Sequence, residues 1–348
     1  MLTKIPLLRR LDPFILGILI TVGIASLIPA DGTALTAFTW ATKVAVGILF
    51  FLYGTRLSTQ EALHGLRHWR LHLTILAATF VIFPLLGIAA RVLVPTILTQ
   101  PLYLGLLYVC LLPSTVQSSI AFVSIARGNV PGAIVSASFS NILGIFVTPL
   151  LVALLMTSEG AGFDGSSAIG ILVMLLLPFI AGQAVRRWIG SWVTKHGAPL
   201  KLVDRGSILL VVYVAFSEGM NEGIWGTLSV GRLLCLLAAC ATLLAIVLSV
   251  TWFGSKRLGF DRADQITITF CGSKKSLATG LPMATILFAG QPIGLIVLPL
   301  MLFHQLQLLV CAWMAGRLAR RTAVNEKELA TSYSRAPRNG PKSPEAAV

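Results

Sequence analysis

Leu112-Pro113-Ser114-Thr115-Val116-Gln117-Ser118-Ser119 breaks an apolar stretch with a proline followed by five polar side chains in six residues. Phe270-Cys271-Gly272-Ser273-Lys274-Lys275-Ser276 breaks another, with a glycine and two lysines. These are the fourth and ninth of ten hydrophobic spans, hence the fourth of each half. Irregular polar backbone at bilayer depth is tolerated only where protein or a water-filled cavity surrounds it. A matched pair of such breaks points to the binding site of a secondary transporter.

Working outward, the chain of 348 residues is 56% hydrophobic and only 11% charged. Apolar stretches of about 20 residues, each long enough to cross a bilayer as a helix, recur along it. The fold class is therefore an all-α polytopic membrane protein. A membrane β-barrel would show alternating ten-residue segments instead. The expected spans are 13–27, 35–53, 72–94, 102–126, 131–156, 168–188, 203–220, 232–253, 263–289 and 292–317. A glycine-rich loop with Glu159 and Asp164 separates the halves. The expected units are a transporter domain over 1–321, with repeats at about 13–156 and 168–317, and a disordered cytoplasmic tail over 322–348 containing Pro337, Pro341 and Pro344.

The net charge of +14 has a plain source. With a cytoplasmic N-terminus, only Lys43, Arg91, Arg232, Lys274 and Lys275 of the 27 Lys and Arg fall outside cytoplasmic loops and tails. Both termini are then cytoplasmic in a plasma (bacterial inner) membrane. No basic stretch is interleaved with aromatics as single-strand binding needs, so nucleic acid is not an expected partner. The run from Phe14 to Ile28, behind Lys4, Arg9 and Arg10, reads as a retained span rather than a cleaved leader. Five spans per half give the halves opposite orientations, a 5+5 inverted-topology repeat suited to alternating access. The spans after each break both open on a proline, at Asn129-Val130-Pro131 and Gly290-Gln291-Pro292.

At the first break Pro113 removes a backbone donor. Ser114, Thr115, Gln117, Ser118 and Ser119 can coordinate a cation or hydrogen-bond an anion. The half-helix starting near Gln117 aims its positive dipole end at the break, which favours anionic groups. The competing reading is a proline kink whose serines only re-satisfy the backbone. At the second break, Lys274 and Lys275 lie some ten residues, or about 15 Å, into the span. Lysine at a helix centre costs about 2.5 to 3.5 kcal/mol, which makes each a functional candidate.

Ser136, Ser138, Ser140 and Asn141 line the fifth span, where small residues also serve close helix packing. Apart from Asp204 and Asp264 at the very start of their spans, Glu218 is the one carboxylate placed inside a span, and pairing with a break lysine competes with a position at the water interface. His304 reads as a satisfied core histidine rather than a proton relay. His64, His68 and His72 share a face of an interfacial helix. Cys110, Cys235, Cys240, Cys271 and Cys311 all lie in apolar spans without metal-ligand spacing, and Cys271 borders the second break. No HExxH, GxSxG or paired membrane aspartates point to an enzyme.

Leu112 to Ser119, the Ala126-Arg127-Gly128-Asn129 turn, Thr148-Pro149-Leu150 and the break from Gly272 to Ser276 together resemble the bile acid:sodium symporter superfamily, solute carrier family ten. The resemblance spans the chain from the first helix to about Arg320. It is nearest the branch joining bacterial symporter-like proteins to the seventh vertebrate member. It implies ten helices in a panel and a core, with helices four and nine crossed, and import of an organic anion driven by sodium. By the resemblance, hydroxyl ligands of one sodium site fall on Ser118 and Ser119, with partners near Ser140 and Asn141. Familiar members carry a glutamate and a glutamine in helix nine, both touching sodium. This chain has Cys271-Gly272-Ser273-Lys274-Lys275 instead, and an ammonium repels a cation. The expected site is therefore Pro113, Ser114, Thr115, Gln117, Ser118, Ser119, Ser140, Asn141 and Cys271 to Ser276. No cofactor beyond a sodium ion is expected, and a break lysine replaces that cation or binds the anion. The alternatives are a proton-coupled carrier using a break lysine and a non-transporting membrane regulator that keeps the fold.

Overall fold

The computed structural model describes residues 13–56, 68–156, 165–221, 223, 229–288, 291 and 293–335. Lys4, Arg9, Arg10, His64, the loop with Glu159 and Asp164, the start signal at Gly290 and Pro292, and the tail prolines lie outside them. Twelve helices follow one another, and no strand occurs among the described residues. They are α1 (Pro13–Leu27), α2 (Gly32–Arg56), α3 (Trp69–Leu93), α4 (Gln100–Leu111), α5 (Val116–Ile125), α6 (Val130–Met156), α7 (Gly165–Lys195), α8 (Gly197–Asn221), α9 (Val230–Arg257), α10 (Arg262–Gly272), α11 (Leu277–Leu287) and α12 (Ile293–Arg335). The fourth expected span is the pair α4–α5, and the ninth is α10–α11.

Length and hydropathy suit α2, α3, α6, α9 and α12 to crossing a bilayer, and α4–α5, bent by 64°, makes a sixth. α1 has only 15 residues. α8 carries Lys201, Asp204, Arg205 and Glu218, so it does not meet that measure. Large apolar side chains face outward on these helices, Leu27, Val92, Leu154 and Phe253 among them. Such a surface suits lipid rather than water.

Two packed groups form. In one, α2 lies along α7 and α8, and α1 along α8. Glycine sets the closest approach: a Cβ on Gly54 would sit 2.1 Å from the Phe179 carbonyl oxygen, and one on Gly182 2.1 Å from that of Phe51. Small residues let backbones meet this closely inside a membrane. In the other group, α4 packs against α3 and α12, α5 against α6 and α10, and α9 against α10 and α12. α4 is enclosed along its length, with every residue from Leu102 to Leu111 buried.

α12 runs on to Arg335, past the Arg321 boundary where a disordered tail was expected. The stretch from Ala323 to Ser334 holds no proline or glycine and several strong helix formers, so nothing local stops it before Pro337.

Candidate functional site

The two breaks meet. Pro113 has no N–H and holds Leu112 extended, at φ −76° and ψ 155°, which ends α4. The Ser114 N–H, no longer available to α4, donates to Ser140 Oγ at 3.1 Å. Gly144, one turn further along α6, is where the bend is received: a Cβ there would lie 2.5 Å from Pro113 Cβ. The second break has no proline. α10 runs through Gly272, and the interruption is Ser273 to Ser276. Gly272 packs instead, with Ala78 and Thr251 in the space its Cβ would enter. Ser276 caps α11, accepting from the Thr279 N–H at 3.2 Å.

Backbone groups orphaned on one side are satisfied by the other. The Ser276 N–H donates to the Pro113 carbonyl at 2.9 Å. Ser114 Oγ donates to the Cys271 carbonyl at 2.6 Å, and Thr115 Oγ1 to the Lys275 carbonyl at 2.8 Å. Gln307 of α12 splints the backbone on both sides of Lys275: its Oε1 accepts from the Lys275 N–H and its Nε2 donates to the Lys275 carbonyl, both at 2.9 Å. Gln307 Nε2 also lies 2.8 Å from His304 Nδ1. An amide donor there makes Nδ1 the acceptor, which assigns the ring proton to Nε2. His304 is thus the satisfied core histidine expected from sequence.

Both lysines are fully buried, at 0% exposure, and their surroundings differ. Lys274 Nζ donates to Ser118 Oγ at 3.2 Å and stands 3.8 Å from the Phe122 ring centre. The thiols of Cys271 and Cys311 are close by. Ser119 Oγ and Ser273 Oγ are buried without an oxygen or nitrogen partner and face thiols, Ser119 that of Cys271 and Ser273 that of Cys311. Lys275 Nζ donates to three carbonyls, those of Thr79 and Cys110 at 2.9 Å and Leu112 at 2.7 Å, and faces the Phe83 ring at 4.0 Å. Glu218 is half-buried on α8, and the hydrogen bonds of the two ammonium groups given above go to Ser118 and to the three carbonyls. Carbonyl dipoles at the end of α4 supply negative potential at the Lys275 ammonium.

The remaining candidates join the same network. Asn141 Oδ1 accepts from Thr279 Oγ1 at 2.9 Å. Thr115 starts α5 without capping it by its side chain, because its hydroxyl is committed to Lys275. The first N–H groups of α5 therefore have no side-chain cap, and Gln117 beside them is exposed. Ser136 sits apart, 2.6 Å from His72 Nδ1. His72 is thus a core residue of α3 rather than part of an interfacial face, and exposed His68 lies 3.8 Å from Asp264.

A sodium ion does not fit these residues. Ser118 already accepts from an ammonium, and among the described residues no carboxylate hydrogen-bonds to Ser114, Thr115, Ser118 or Ser273 to Ser276. Among the described residues no group of His, Cys, Asp or Glu could hold a metal.

Three contributors lie outside the expected site residues: Thr79, Tyr108 and Thr148, the last quoted above only for the resemblance. Thr148 Oγ1 donates to the Leu111 carbonyl at 2.7 Å, and Tyr108 OH to that of Gly280 at 2.7 Å. Thr79 contributes through its backbone. A π-helical turn spans Ala78–Ile82, and the Phe83 N–H reaches back to the Ala78 carbonyl. The next donor in that register would be residue 84, a proline. The Thr79 carbonyl thus loses both helical partners and turns to Lys275. Pro84, five residues after Thr79, was the available signal.

A helical membrane protein with two broken helices meeting in its interior is built as a solute transporter. Comparison with known proteins agrees. The SBF-like CPA transporter family matches residues 12–320, and the chain belongs to that family, within the bile acid:sodium symporter superfamily. It is 53% identical over 325 residues to "Uncharacterized protein PA2026" of Pseudomonas aeruginosa, covering 93% of this chain and 98% of that one. It is 48% identical over 330 residues to "Putative symporter YfeH" of Escherichia coli, covering 95% and 99%. It is 32% identical over 327 residues to sodium/bile acid cotransporter 7 of Xenopus tropicalis, covering 89% and 95%. The family is one of membrane transporters, not enzymes.

Proposed function

We propose that the protein is a secondary active transporter that moves a small organic anion by alternating access at the crossed breaks. The observation that carries this reading is Lys274, an ammonium with no carboxylate partner among the described residues, hydrogen-bonded to Ser118 in the first turn of α5. The anion would enter from the side of exposed Gln117. The uncapped N–H groups of α5 and the Lys274 ammonium would hold it, with Ser118, Ser119 and Ser273 as further donors. Ten spans in two inverted repeats of five accommodate this, with both termini in the cytoplasm of the bacterial inner membrane and the motion between the two packed groups.

Relatives named sodium/bile acid cotransporter 7 suggest sodium as the driving ion. The two buried ammonium groups favour a coupling that does not use the resemblance-implied sodium ligands Ser118, Ser119 and Asn141. A proton-coupled carrier is the second reading that these lysines favour.

A thermal-shift screen of small organic anions on the purified protein tests the proposal. A bound anion raises the melting temperature with its concentration over its dissociation constant. At least one carboxylate, sulfonate or phosphate ester should stabilise the wild type saturably and leave Lys274→Ala unmoved. A hit list of cations or neutral solutes only, or anion shifts that survive in Lys274→Ala, would count against it.

A further inference from the structure

Lys275 is placed unlike any ordinary buried lysine. An ammonium has three donors, and all three are used on main-chain carbonyls, at 2.9, 2.9 and 2.7 Å. No side-chain oxygen takes part. The three carbonyls come from three discontinuities in the helices. Thr79 lies in the π-helical turn of α3, where the proline at position 84 leaves its oxygen without a helical partner. Cys110 lies in the last turn of α4, and the N–H that would have served it, that of Ser114, is committed to Ser140. Leu112 lies beyond the end of α4, extended ahead of Pro113. Converging carbonyls of this kind replace the hydration shell of a monovalent cation in ion-selective pores. The negative end of the α4 dipole adds to their potential.

We infer that these three carbonyls form a monovalent-cation site whose permanent occupant is the chain's own Lys275 ammonium. The charge is the one a sodium or potassium ion would bring. It is tethered by four methylenes, so it cannot leave, exchange or carry an ion gradient. The crossing of the breaks is held together without a dissociable ion, and no alkali cation couples to transport at this point. The consequence for coupling rests on the transporter reading above. The site itself does not, and its test reads stability alone, so a protein that transports nothing still decides it.

The experiment uses purified full-length protein in detergent at fixed ionic strength, with chloride salts of choline, sodium, potassium, ammonium and methylammonium. The wild type should melt at one temperature in all five. Lys275→Ala should melt lower in choline and recover saturably with at least one of the four small cations, which can enter the space the side chain leaves. Lys275→Met fills that space without charge, and should melt low and recover with none. If Lys275→Ala cannot be purified in choline, purification in methylammonium replaces that arm, and a monodisperse protein there supports the site. A saturable sodium-dependent rise in the wild type would overturn the inference. So would Lys275→Met melting like the wild type, or a Lys275→Ala that responds to no cation in either arm.

Discussion

Replacing Gln307 by methionine isolates one element of the crossing, the amide that splints the interrupted peptide at Lys275. Methionine keeps the length and most of the volume but can neither accept nor donate as the amide does. The buried Lys275 N–H then has no partner, which costs about 1–3 kcal/mol. The Lys275 carbonyl keeps its bond from Thr115 Oγ1 and loses the one from Nε2, a further ~0.5–1.5 kcal/mol. His304 Nδ1 also loses its amide donor, about 1–3 kcal/mol more. The expected destabilisation is about 2.5–7.5 kcal/mol. At ~2 °C per kcal/mol, the low end suited to a long chain, the melting temperature should fall by about 5–15 °C. Thr115→Val removes the other bond on the same carbonyl. Alone it should cost little, since Gln307 remains. Combined with Gln307→Met it leaves the carbonyl bare, so the double variant should lose more than the sum of the single ones. Melting curves of the four proteins in one detergent make the measurement. An unchanged melting temperature for Gln307→Met, or strict additivity, would refute the reasoning.

Other expectations come from the same network. Pro84→Ala restores an N–H within reach of the α3 carbonyls, which competes with Lys275 for Thr79. It should lower the melting temperature, although removing a proline from a helix interior ordinarily raises stability. Gly144→Ala puts a Cβ within 2.5 Å of Pro113 and should cost about 1–3 kcal/mol by overpacking, read as a lower melting temperature. Asn129 caps α6 through the Gly132 N–H and also donates to buried Asp264 at 2.8 Å. Asn129→Ala should therefore lose at least the ~0.5–2 kcal/mol of a lost cap, where an Ala at exposed Gln117 should leave stability unchanged.

The breaks were legible because proline and clustered polar side chains stand out in apolar sequence. Helix positions followed from runs of apolar residues, and the observed helices overshoot the expected spans by a few residues where charged ends such as Arg56 and Lys195 continue the turn. The fates of Lys274 and Lys275 were not legible. Adjacent positions on one chain give no hint that one ammonium meets a serine and the other three carbonyls. The deciding partner, the Thr79 carbonyl, lies 196 residues away in a stretch of ordinary apolar composition. Backbone oxygens have no sequence signature except through the prolines that free them. A search for opposite charge considers side chains, and at Lys275 the main chain supplies the potential. Polarity alone does not mark the end of α12, since polar residues such as Glu326, Lys327 and Glu328 are also good helix formers.

As proposed, transport here is anion movement through a crossing that carries its own positive charge. Counterflow of a stabilising anion into proteoliposomes, with sodium or choline as the only added cation, tests it directly. Saturable uptake at the same rate in both salts, lost in Lys274→Ala reconstituted to the same density, is the expected result. Uptake that requires sodium, or that persists unchanged without the Lys274 ammonium, would contradict it.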